Sequence, residues 1–125
     1  MDLKYKMLCG AEKYRVYKDG TILKLKQTKT SKYTKRAEIK HQWRLVVPII
    51  RGEYLAVTIN GEPILVHRLV ASMFVHNDDI DKKLHVHHKD EDPTNNDADN
   101  LQWVTPKEHM GIHMLLRQKT KLGAL

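Results

Sequence analysis

Residues 85–113, HVHHKDEDPTNNDADNLQWVTPKEHMGIH, decide how the chain is read. His85, His87 and His88 crowd a short run, LHVHH, that reads as a strand, and an acidic, Asn-rich loop with one proline follows. LQWVT then reads as a second strand. PKEHMGIHMLLRQK reads as a helix whose start is well signed. Thr105 is a candidate N-cap, Pro106 falls at N1 where its missing N–H costs nothing, and Glu108 falls at N3, which makes a capping box. His109 and His113 lie four apart on that helix and so share a face, a common geometry for two imidazoles on one metal. The H-E-x-x-H pattern of metalloproteases is excluded, because Glu108 precedes the first histidine.

Adjacent strand side chains point to opposite faces, so His87 and His88 are expected to do different jobs. One would bind a metal with His109 and His113 while the other projects toward a substrate. That division suits phosphodiester hydrolysis, where a base is needed on the water side and a cation beside the leaving oxygen. Histidine ionises near ~6.5 and serves as such a base around neutral pH. A structural zinc site built from His87, His88, His109 and His113 satisfies the same residues.

Upstream, VHRLVASMFV places Leu69, Val70, Met73 and Phe74 at helical spacing. Before it, KYRVYKDGTILKLKQ alternates around Asp19-Gly20, and EYLAVTI and PILV flank Asn60-Gly61, two hairpin signals. WRLVVPII reads as a further strand, and TKTSKYTKRAEIK as an exposed basic loop. The fold class is therefore α+β: a small antiparallel sheet region over residues 1–65, then a strand–loop–strand–helix unit over 66–125, together one compact unit. The 125 residues are about one domain, and their net charge of +7 is unevenly spread. Residues 76–100 carry an acidic excess inside a basic body, and basic bodies attract polyanions. The lone Cys9 excludes an internal disulfide and a C-x-x-C zinc knuckle. With no 18-residue apolar run and no signal-like N-terminus, a soluble, intracellular, cytoplasmic protein is expected.

The run from Val66 to His113 resembles the HNH endonucleases, especially the phage and intron-encoded homing type. That family places V-H-R-L-V-A before a strand ending in His, then a loop with N-N, then N-L-x-W-V-T and a helix. Here these are Val66–Ala71, His88, Asn95-Asn96, Asn100–Thr105 and the helix from Pro106. YRVYKDGTILK is also similar to a short DNA-binding module found with such enzymes. The resemblance implies a ββα-metal nuclease core that binds one divalent metal ion (Mg, Mn, Ni or Zn) and cleaves double-stranded DNA, as monomer or homodimer. It assigns His88 as the base that activates water and Asn100 as the residue holding the loop. It assigns His87, His109 and His113 as metal ligands. DNA-backbone contacts are expected from Lys24, Lys26, Arg44, Arg51 and Arg68. His85 has no family role and is read as a strand residue. The family's loop glycine is replaced by Glu91, and many homing-type members have Asp or Asn at His87 and Asn at His109. The rival is a non-catalytic DNA-binding regulator supported by a structural zinc.

Overall fold

A computed structural model describes residues 4–10, 12–29 and 39–121; the side chains of residues 27–29, 39–41, 113 and 115–121 lie outside the description. Most of the predicted basic loop, residues 30–38, lies outside the described residues. Its two ends extend strands.

A four-stranded antiparallel sheet is formed by β1 (Tyr5–Cys9), β2 (Lys13–Tyr17), β3 (Ile22–Lys29) and β4 (Ile39–Leu45), in that order. The β2–β3 turn sits on Asp19-Gly20. Gly20 has φ +96°, open to glycine at little steric cost. A three-stranded meander of β5 (Ile49–Arg51), β6 (Tyr54–Ile59) and β7 (Glu62–Leu65) follows. Its β6–β7 turn has both Asn60 (φ 50°) and Gly61 (φ 82°) at positive φ, as a two-residue hairpin of the favoured twist requires. The apolar run WRLVVPII is thus two strands in two sheets. Pro48 carries no N–H for a ladder, Val46 N–H donates to Ile22 O at 2.9 Å, and Ile49 pairs with Ala56.

Helix α1 (Val66–Phe74) leaves β7 directly and buries Val66, Leu69, Val70 and Ala71. After an irregular connection, β8 (His85–His88) pairs antiparallel with β9 (Leu101–Val104), His88 opposite Leu101. Helix α2 (Pro106–Lys121) then begins. One core runs through all of this. Tyr14, Val16 and Ile22 of the first sheet pack with Val57 and Ile59 of the second. Val66, Leu69 and Val70 of α1 and Val86 and Leu101 of the hairpin complete it. The architecture is α+β.

Two ties carry the N-terminal sheet onto the β8–β9 loop. Ala98 N–H donates to Lys18 O at 2.9 Å, and Lys18 Nζ lies 2.9 Å from Asp99 Oδ1. A Cβ on Gly20 would sit 3.1 Å from the Asn96 Cβ. The β2–β3 hairpin therefore props up the loop that faces His88.

Candidate active site

Strand alternation divides β8. Val86 and His88 point inward, while His85 and His87 point toward α2. His88 is 6 % exposed. Its Nε2 lies 3.0 Å from Asn96 Oδ1. An amide oxygen only accepts, so this contact calls for hydrogen on Nε2, the tautomer that leaves the lone pair to Nδ1 in a neutral ring. The ring is walled by His67 (centroids 5.0 Å apart) and stacks at 6.0 Å on Tyr54. The sequence named Asn96 only with Asn95, as the N-N of the loop, and did not point to Tyr54.

The loop after His88 is stapled by Asn100. Its Oδ1 accepts from Asp90 N–H at 3.0 Å, and its Nδ2 donates to Asp90 Oδ1 and to Asn95 O, both at 2.9 Å. Lys89 N–H donates to Asn100 O at 2.8 Å, and Asn95 Nδ2 to Asp90 Oδ2 at 2.7 Å. The donor from Asn95, then the Asp92 backbone N–H, hold the Asp90 carboxyl below its usual range. Glu91 keeps the left-handed backbone (φ 66°) suited to the glycine it replaces. Its Oε1 lies 3.4 Å from His87 Nε2.

On the side facing α2, where His87 is itself buried, the His85 and His109 Nδ1 atoms are 3.2 Å apart. The His87 and His109 ring centres are 5.8 Å apart. The capping box fixes where His109 stands: Glu108 N–H donates to Thr105 Oγ1 at 3.0 Å, with the reciprocal Thr105 N–H to Glu108 Oε1 contact at 3.5 Å. The His113 side chain lies outside the described residues. The structure thus brings His87 and His109 together on one face of β8 and sets His88 on the other.

Residues 65–111 match the family model described as HNH endonuclease. Over that segment the chain is similar to the HNH endonucleases. Two relatives, both proteins of Acanthamoeba polyphaga mimivirus named as uncharacterized HNH endonucleases, are similar over a longer stretch. One is 33% identical over 106 residues, 81% of this chain and 23% of the relative. The other is 32% identical over 111 residues, 85% of this chain and 28% of the relative. The chain therefore spans about a quarter of the length of these relatives. No solved structure matches it at comparable significance.

The α2-facing side of the HNH segment carries donor types that a divalent cation takes. His85 Nδ1 stands 3.2 Å from His109 Nδ1, the His87 ring centre lies 5.8 Å from that of His109, and His87 Nε2 is 3.4 Å from Glu91 Oε1. Such nitrogen-rich sets favour transition metals over magnesium. Among the described residues, no group of three or more His, Cys, Asp or Glu side chains is placed to hold a metal ion.

The basic residues are scattered. Lys24 and Arg44 are cross-strand partners, with Lys26 two residues farther along β3. Lys24 Nζ is paired with Glu12 Oε2 at 2.9 Å, so its charge is already answered. Arg51 belongs to the other sheet. Arg68, exposed on α1, donates from Nη1 to Leu84 O at 3.1 Å.

His67 of the V-H-R motif is 5 % exposed, and its Nδ1 has no hydrogen-bond partner among the described residues. Burial, then the neighbouring His88, pushes its pKa down to about 4. The unfolded chain takes up this proton near pH ~6.5. Above that pH both states are neutral; below it the unfolded state alone is protonated until about pH 4, so stability falls through that window. We expect a loss of about 2–3 kcal/mol between the two limits. Urea melts at a series of pH values check it: His67→Phe should flatten the slope between pH ~6.5 and ~4. An unaltered slope in the variant would assign the loss to other groups.

Proposed function

We propose that this chain is a metal-dependent DNA endonuclease of the homing type, with β8, β9 and α2 as its ββα-metal core. The observation carrying the reading is the arrangement of His88. The ring is held through Nε2 by Asn96, and its loop is stapled by Asn100. The histidine face that fits a cation lies on the opposite side of the same strand.

His88 Nδ1 takes the proton of a water whose oxygen forms the new bond to phosphorus, while the bond to the 3′-oxygen breaks. His87 and His109, with His113 as a further candidate, would hold a divalent ion, which would supply charge stabilisation for the phosphoryl group and the departing oxygen. Asn96 and Asn100 act through His88, as positioning residues. Lys26, Arg44, Arg51 and Arg68 are the cationic side chains offered to the DNA backbone, with Lys24 contributing less because of Glu12. One site per chain nicks one strand, so cutting both strands takes a second copy or a second visit. No helix of the described residues is long and apolar enough to cross a membrane.

The test is supercoiled plasmid incubated with the full chain and, in turn, magnesium, manganese, nickel, zinc or EDTA. DNA of the protein's own source serves as a second substrate. Nicked or linear product with at least one metal and none with EDTA is expected. Intact DNA on both substrates under every metal would sink the nuclease reading in favour of a DNA-binding role.

A further inference from the structure

The V-H-R-L-V-A to final-His pattern leaves His85 unexplained, yet this ring stands closer to His109 than the His87 ring does. We propose that His85 is a ligand to the same divalent cation as His109, an addition to the set that the motif supplies. The inference rests on the metal reading of His87 and His109 given above.

Three observations carry it. The facing atoms of His85 and His109 are both Nδ1, at 3.2 Å. Two nitrogens on one tetrahedral ion with bonds of ~2.0–2.1 Å lie about 3.3 Å apart, so the separation of this pair already matches that of two ligands on one ion. The ring centres are 5.3 Å apart for His85–His109 and 5.8 Å for His87–His109. Imidazoles sharing an ion have ring centres about 5–6 Å apart at those bond lengths. Finally, alternation puts His85 and His87 on the same side of β8, both toward the first turn of α2. His85 is exposed and is not needed to fill the core.

Without an ion, the pair holds together only if one ring carries hydrogen on Nδ1 and the other does not. With an ion, both Nδ1 lone pairs point at it and hydrogen sits on Nε2 of each ring. The gain falls on ions that prefer imidazole, such as zinc, nickel and copper, and not on magnesium, which takes oxygen ligands.

The experiment uses the full chain freed of metal, without DNA. Zinc affinity is measured by competition with a chromophoric chelator, and nitrogen ligation of added copper by electron paramagnetic resonance. Wild type, His85→Ala, His85→Cys and His109→Ala are compared, with circular dichroism confirming their fold. His85→Ala should weaken zinc at least about tenfold, since even outer partners of metal ligands are worth roughly 10–100-fold. The same variant should remove one nitrogen from the copper spectrum. His85→Cys should restore zinc, which a lost hydrogen bond or lost packing would not. If His109→Ala loses zinc while His85→Ala stays within twofold with an unchanged copper spectrum, the proposal is overturned and the metal reading stands. If neither variant changes zinc affinity, both fall together.

Discussion

His88→Ala should slow DNA nicking by about 10²–10⁴-fold, the range that a positioned general base contributes. Affinity for uncut DNA should stay within a few-fold. The ring is 6 % exposed and offers almost no surface to a bound duplex. The two readouts are single-turnover nicking of supercoiled plasmid and gel shift in EDTA. Truncation also leaves Asn96 Oδ1 without its donor inside a pocket walled by Tyr54 and His67, a cost of roughly 1–3 kcal/mol. That loss must be separated from chemistry. Added free imidazole does so, because it refills the vacated pocket with a base and has no reason to repair an unfolded chain. Rescue of nicking by imidazole, with a midpoint in urea that does not return to wild type, would mark the loss as chemical. Nicking within several-fold of wild type would remove His88 from the role of base.

Asn96 marks where sequence reading stopped. Asn95 and Asn96 are adjacent and chemically identical, and a one-residue difference in an irregular loop decides which one meets His88. The structure buries Asn96 on His88 and spends Asn95 on Asp90. Tyr54 lies in a different sheet, and only the packing of β6 against α1 brings it to the site. The split of WRLVVPII was equally hidden: an apolar run shows burial, not which sheet each half joins. Lys24 looked like a free cation because Glu12, beyond the other end of β2, is placed against it only by the β2–β3 pairing. What was legible rested on local chemistry. Asn60-Gly61 and Asp19-Gly20 fixed two turns. Thr105, Pro106 and Glu108 fixed the start of α2, and hence the place of His109. The period of two separated His87 from His88.

Asn100→Ala is expected to cost the loop its staple and the enzyme its rate. Three hydrogen bonds disappear, each worth roughly 0.5–1.5 kcal/mol, and their exposure puts the total near 2 kcal/mol. Nicking should fall about 100-fold, because the loop carries Asn96, which sets the tautomer of His88. Asn100 touches neither water nor phosphate in this reading, so the loss should appear in kcat with KM for DNA nearly unchanged. Asn100→Asp separates geometry from polarity. It keeps the acceptor for Asp90 N–H but loses both donors and sets a second carboxylate against Asp90, whose own carboxyl is held ionised by its donors. It should therefore be as damaging as alanine. Asp90→Asn in that background supplies the missing donor from the opposite side and should recover part of the rate, a coupling that a double-mutant cycle measures directly. Additive losses in the cycle, or a KM effect exceeding the kcat effect, would show that Asn100 does not act through this loop.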